Sequence, residues 1–280
     1  MDELAPPVRK SLADVGYFEG RNLSFEWRAM GFDDSIAAAM AAELVRLRMD
    51  VLMTHGTPPT KAFQAATRTI PIATVVGNPI ASGFTRSLAR PSSNITGLTL
   101  THPETPAKQV ELLRKTLPKL ERVVFIDNID YGGARDFLRP YEIAAKAAGI
   151  AAGIEVVSRA ELEGIFAGMK RSRNSAAFVI FTAIARPELA ALAMRHGVPT
   201  MLWEQGWVEA GGLMSFSMLH SNGDVRQAAT IDKLLKGVSV ADIPWELPDR
   251  SHLAINLQTA KLLGIEFPPD ILLRADEIVR

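Results

Sequence analysis

Cysteine is absent from the 280 residues, which removes disulfides, thiolate metal sites and thiol nucleophiles together. The same absence leaves the redox compartment open. An excess of charge of one sign is missing too, because 31 Lys and Arg balance 31 Asp and Glu. No dense basic stripe supplies the electrostatic footprint that nucleic acid requires. The longest apolar runs are only strand length, too short for a membrane-spanning helix.

Catalytic signatures are missing as well. No Gly-x-Gly-x-x-Gly follows a strand pattern, no phosphate-cradling Gly-Lys-Ser/Thr loop occurs, and no His-Glu-x-x-His helix offers a zinc site. No Gly-x-Ser-x-Gly elbow is present, and the paired cysteines of two-lobed amino-acid racemases cannot occur. The expectation is a protein without catalytic residues, metal ligands or cofactor. Met1-Asp2-Glu3-Leu4-Ala5 has neither the basic start nor the apolar core of a signal peptide. A helix is expected from Val8 to Val15, closed by Gly16. A parallel sheet normally opens on a strand, so a first strand, and any leader before it, are expected to be missing from the sequence.

What is there is an ordinary globular composition, 48% hydrophobic and 22% charged. The chain is long for one hydrophobic core, which favours two domains. Asp50 to Pro79 organises the first. Val51-Leu52-Met53 is a buried-strand run that breaks at Thr54-His55-Gly56-Thr57, and Pro58 and Pro59 suit the first turn of a helix through Thr60 to Thr67. Ile70 to Val76 is a second buried run. It stops at Gly77-Asn78-Pro79, before a helical pattern from Ala81 to Leu88. Successive strand-helix-strand units of this length make a right-handed parallel sheet, in which ligands lie at the carboxyl ends of the strands.

Leu23 to Trp27 alternates like a half-exposed edge strand. Asp33-Asp34 caps a helix from Ser35 to Arg48, with Ile36, Met40, Leu44 and Leu47 as its buried face. Ile95 to Leu100 is a strand suited to carry the chain out of the first domain. A second strand-helix series follows: helix 108–117, strand 122–126, helix 135–148, strand 154–157, helix 160–170, strand 176–181, helix 187–196 and strand 199–202. Gly211 to Ser217 reads as a return strand to the first domain and 224–235 as a helix. Residues 241–244 and Pro248 read as an extended crossing. Leu253 to Asn256 is a strand whose Asn256 caps the last long helix, and Ile271 to Val279 is a short final helix. The rhythm is α/β, with two Rossmann-like lobes joined by a multi-strand hinge. Lobe boundaries are expected at 1–98 with 216–246 and at 99–215 with 247–280.

Six motifs keep a common order. They are Val15-Gly16-Tyr17-Phe18-Glu19-Gly20-Arg21-Asn22, Thr54-His55-Gly56-Thr57-Pro58, Ala89-Arg90-Pro91-Ser92-Ser93-Asn94-Ile95-Thr96-Gly97, Val208-Glu209-Ala210-Gly211-Gly212-Leu213-Met214-Ser215, Asp232-Lys233-Leu234-Leu235-Lys236-Gly237 and Ile255-Asn256-Leu257-Gln258-Thr259-Ala260. Together, over nearly the whole chain, they resemble the solute-binding proteins of ABC transporters, in the type I periplasmic-binding-protein branch whose best-known members bind tryptophan or phenylalanine. The resemblance implies a monomeric receptor that closes on a small solute in the interlobe cleft and hands it to a membrane permease. It also implies secretion, periplasmic or membrane-anchored.

The expected ligand contacts follow. His55, Gly56 and Thr57 precede a helix amino terminus, where free backbone N–H groups suit a carboxylate. Gly77 and Asn78 hold the equivalent rim position of the next strand. The resembled family more often has Asp where Asn78 stands. Asn128 matches a common family asparagine, Thr182-Ala183 replaces a Pro-Asp pair, and Gly206 replaces a glutamate. Three carboxylates of the pattern are therefore missing, an expectation against a free amino acid as ligand; Asp127, Asp130 and Glu204 could replace that charge, although acidic loop residues are more often just solvated. Trp203, Trp207 and Tyr131 flank the rim as aromatic walls, although tryptophan in such places more often packs into the core. The competing reading is the ligand-sensing domain of a signalling or transcriptional regulator with the same fold.

Overall fold

The computed structural model describes residues 5–28, 34–128, 134–171, 174–180, 185–204 and 206–280. In chain order the elements are α1 (Ala5–Asp14), α2 (Asp34–Arg46), β1 (Leu52–His55), α3 (Thr57–Ala66), β2 (Ile72–Val76), β3 (Ile95–Thr99), α4 (Thr105–Thr116), β4 (Arg122–Asn128), α5 (Ala134–Ala147), β5 (Ala151–Val157), α6 (Leu162–Arg171), β6 (Ser175–Val179), α7 (Arg186–His196), β7 (Thr200–Leu202) and β8 (Met214–Leu219). There follow α8 (Gly223–Leu235), β9 (Arg250–Asn256), α9 (Leu257–Leu263), α10 (Pro269–Arg274) and β10 (Glu277–Val279). The chain forms two compact units, residues 1–101 with 220–249 and residues 102–219 with 250–280, and passes between them three times.

In the first unit β1, β2 and β3 form a parallel sheet in that order. Strands buried on both faces read as near-continuous apolar runs, and β2 is apolar but for the hydrogen-bonded Thr74: Ile72 and Val76 face one cluster, Ala73 the other. On one side Leu52, Ile72, Val76 and Ile95 pack with Ala41 and Leu44 of α2, Phe63 of α3 and Trp245. On the other, Ala73 packs with Val8 and Leu12 of α1 and Ala228, Ile231 and Leu234 of α8. Gly97 lies at the centre of β3 opposite Thr74, with φ +148°.

The second unit carries a seven-stranded sheet in the order β10-β9-β8-β7-β6-β4-β5. All its pairings are parallel except β8 with β9. Phe125 of β4, Phe178 of β6 and Tyr141 of α5 form a buried aromatic trio with ring centroids 5.1 to 5.7 Å apart. Asn256 caps α9, its Oδ1 accepting from Thr259 N–H at 2.8 Å.

Several expectations are corrected. No helix forms over 81–88: Asn78 Oδ1 instead accepts the N–H groups of Ile80 and Ala81 at 3.1 and 3.0 Å, locking a turn. Gly83, at φ +76°, ends that turn, and Phe84 is buried beyond it. Leu23 to Trp27 is not a strand. Leu23 and Phe25 do pack inward, but the segment forms only an isolated bridge between Glu19 and Leu23. The buried stripe of α2 is Ala37, Ala41 and Leu44, while Ile36 and Leu47 are exposed, a rotation of one position from the expected face. The tail over 271–279 is not one helix, because α10 ends at Arg274 and Glu277 to Val279 adds β10 beside β9. β8 is no return strand either: it pairs along its length with β9 inside the second sheet before the chain crosses.

Candidate functional site

Because β1, β2 and β3 run parallel, their carboxyl ends share one rim; His55 ends β1 there, and the segments after β2 and β3 bring Gly77 and Thr101 to it. Three hydrogen bonds stitch that rim. Gly56 N–H donates to Val75 O at 2.8 Å, Leu100 N–H to Val76 O at 2.8 Å, and the Thr101 hydroxyl to Gly77 O at 2.7 Å. Beneath it the buried Thr60 hydroxyl donates to Gly56 O at 2.6 Å and lies 2.8 Å from Thr74 Oγ1.

The start of α3 differs from the expected anion cradle. Gly56 caps the helix at φ 92° with no side-chain cap. Thr60 N–H turns back to Gly56 O at 3.4 Å, and Pro58 and Pro59 have no N–H to give. Of the early donors that a helix normally leaves free, only Thr57 N–H remains, with the Thr57 hydroxyl beside it. The rim therefore offers one residue as a two-pronged donor instead of a row of amides.

His55 closes β1 and is held from α8. Its Nε2 lies 2.9 Å from Gln227 Nε2 and 3.1 Å from Gln227 Oε1. A neutral ring accepts from the amide, and a protonated ring donates to the oxygen. Burial is the largest influence and lowers the imidazole pKa, against the Gln227 hydrogen bond and the Asp224 charge, which raise it. The linkage runs in one direction: a base whose folded pKa is depressed keeps its full contribution to stability above its unfolded value of 6.5 and loses it as pH falls from that value through the lower folded pKa. Thermal melts from pH 7.5 to 5.5 are expected to show a declining Tm that is partly flattened in His55→Gln; identical slopes in the two proteins would count against a buried neutral ring.

In the second unit β4, β6 and β7 end on a common rim. Asn128 is the last residue of β4, opposite Val157; its side chain lies outside the described residues. Tyr131, Asp130 and Thr182 also lie outside them. Trp203, just past β7, is half-buried against the aromatic core, and its Nε1 donates to Ile180 O at 2.7 Å. Trp207 is fully buried, so its place is core and not wall. Glu204 is already engaged. Arg186, the first residue of α7, donates from Nε to Glu204 Oε2 at 3.1 Å and from Nη2 to Oε1. Asp127 is buried and is not free of interactions. A Cβ at Gly206 would lie 2.9 Å from Arg186 Nη1, so the glycine makes room for the guanidinium.

Sequence reasoning missed Gln227 and Arg186. Each acts through a partner remote in sequence, and only the helix-start position of Arg186 carried a local signal. Among the described residues no group of three or more His, Cys, Asp or Glu is placed to hold a metal ion. Nor, among them, is any helix long and apolar enough to cross a membrane.

Comparison with known proteins agrees with this architecture. A tyrosine-binding protein of Clostridioides difficile is 25% identical over 277 residues, covering 95% of this chain and 78% of that protein. A conserved domain protein from Vibrio cholerae superposes with a TM-score of 0.84 at 24% identity, covering 97% of this chain and 93% of the other. An ABC domain from Streptococcus pneumoniae, solved in complex with L-Trp, superposes with a TM-score of 0.83 at 23% identity, covering 98% and 93%. The two structures share the fold of two α/β units with parallel sheets. The family model described as ABC transporter substrate binding protein matches residues 1–279, and the chain belongs to that family of extracytoplasmic solute-binding components.

Proposed function

We propose that the chain captures a small aromatic or amino-acid-like solute and delivers it, chemically unchanged, to permease subunits in the membrane. The family match over the whole chain supports transport over the sensory domain of a regulator. The ligands named for two of its relatives, tyrosine and L-Trp, support an aromatic solute. The observation that carries the site is the start of α3 at Thr57, two residues past His55 on the first rim, followed by two prolines that have no N–H to donate. On this reading Thr57 receives the polar end of the solute. Gly56, Gly77 and Asn78 shape that rim, and Asn128, Tyr131, Thr182, Trp203 and Glu204 are the proposed contacts contributed by the second unit's part of the chain. With Glu204 held by Arg186, a ligand ammonium group finds less free negative charge than the family pattern offers. The protein acts as a monomer, and closure about the three chain crossings accompanies binding.

A thermal-shift screen of amino acids, aromatic carboxylates and nucleobases, followed by calorimetry, tests the reading. Thr57→Ala is expected to weaken binding of the solute found by about tenfold, the scale of one or two lost hydrogen bonds. Unchanged affinity would remove Thr57 from the site, and a screen without any binding solute would overturn solute capture.

A further inference from the structure

The three passages of the chain between its units end, on the first unit's side, in one interlocked network. Thr99 and Thr101 close the first passage, His220 and Ser221 open the second, and Glu246 to Asp249 lead into the third. His220 Nε2 donates to Thr99 O at 2.6 Å, which ties the second passage to the first. Thr99 N–H donates to Glu246 O at 2.9 Å and Glu246 N–H to Gly97 O at 2.9 Å, which ties the third to the first. Ser221 N–H donates to Asp249 Oδ1 at 2.8 Å, closing the triangle.

Arg226, the fourth residue of α8, sits at the centre. Its Nε donates to Ser221 O at 3.0 Å, its Nη1 to Glu246 at 3.0 Å and its Nη2 to Asp249 at 2.6 Å. One planar guanidinium thus holds a backbone carbonyl and two carboxylates from two passages, a task that needs its fixed fork of donors. The Arg226 side chain is about one-third exposed, at 34%, so its pairs are only partly screened by water.

The second unit anchors the same passages almost immediately. Leu219 is paired with Arg250 as the last rung of the β8–β9 ladder, and His102 N–H donates to Thr105 Oγ1 at 3.0 Å at the head of α4. Between the two sets of anchors each passage is left with about one peptide link: Thr101–His102, Leu219–His220 and Asp249–Arg250. Neighbouring residues on either side are held by named hydrogen bonds.

We infer that Arg226 is a positioning residue for solute capture: it fastens the three passages to the first unit as one body, so that bending is confined to the three short links. The inference goes beyond the proposed ligand site, and its test uses no ligand, so it stands or falls separately from that reading. Because the chain lacks cysteine, single cysteines introduced at the exposed positions Lys61 and Glu188 accept spin labels without background. The full chain and Arg226→Gln are compared by hydrogen exchange with mass spectrometry and by the width of the label-to-label distance distribution.

In Arg226→Gln the amides of Ser221, Thr99 and Glu246 are expected to exchange about tenfold faster and the distribution to broaden, while α9 and β4 exchange as before. Arg226→Lys, which keeps the charge but not the fork, is expected to fall between the two. Asp249→Asn supplies the same measurement should Arg226→Gln not fold. Wild-type exchange at the three amides, an unchanged distribution, or full rescue by lysine would each overturn the inference.

Discussion

Gly97→Ala is expected to leave the first unit unfolded. The new Cβ would lie 1.8 Å from Thr74 O and 2.8 Å from Thr74 C, all backbone atoms of the neighbouring strand. No rotamer relieves a clash of that kind. Only a parting of β2 and β3 would, and those two strands share a continuous parallel register from Ile72 with Ile95 to Val76 with Thr99. The φ of +148° adds a second cost, because a side chain rarely adopts it. Together these exceed about 4 kcal/mol, the exceptional end of single-substitution effects, against a domain stability of about 5–15 kcal/mol. Calorimetry should lose the transition of the first unit, and far-UV dichroism should fall with it. A folded Gly97→Ala protein with a Tm within a few degrees of wild type would show that β3 does not approach β2 as described.

Phe178→Ala carries the largest expected loss in the second unit. Phe178 is fully buried in the middle of β6, with Phe125 at 5.7 Å and Tyr141 at 5.1 Å. Truncation removes the ring that touches both neighbours and leaves a cavity in a layer whose other walls, β4 and α5, are pinned by their own contacts. Burying a phenylalanine and then deleting it costs about 3–5 kcal/mol, with a further contribution from the aromatic pairs of about 0.5–1.5 kcal/mol. Urea unfolding is the suitable measurement, since a lower midpoint with an unchanged slope isolates stability from compactness. Phe178→Leu should recover most of the loss. An alanine variant within about 1 kcal/mol of wild type would mean that the trio is not a core.

Much of the fold was legible because its strands announce themselves locally. The run Ala176 to Val179 is apolar at every position and Ile72 to Val76 at all but Thr74, and glycines at 16, 149, 197, 237 and 264 mark helix ends with positive φ. Where the reading failed, a local signal was outvoted by a partner far along the chain or by a side chain capturing backbone. The periodicity of Ala81 to Leu88 is helical, yet Asn78 takes the N–H groups that would have opened that helix. β10 is too short to register as a strand and exists because β9 offers it a free edge.

The site was legible to a lesser degree. Strand-end position picked out His55 and Thr57, since topology alone puts such turns on a rim. It could not show that Gln227 grips His55, for that pair is separated by 172 positions. Nor could it show that Arg186 occupies Glu204. The loss of N–H donors at Pro58 and Pro59 was visible in the sequence all along. It weighs only once α3 is seen to begin at Thr57.

The first unit is not continuous in the chain: α8 and the strip around Glu246 reach it only after residues 102–219 have been made. On a ribosome this imposes a schedule. The apolar side of β2 that α8 covers must wait, at usual elongation rates, on the order of ten seconds for its lid to emerge. During that interval the nascent amino-terminal third is a natural client for a chaperone, whereas most of the second unit is synthesised in a single stretch.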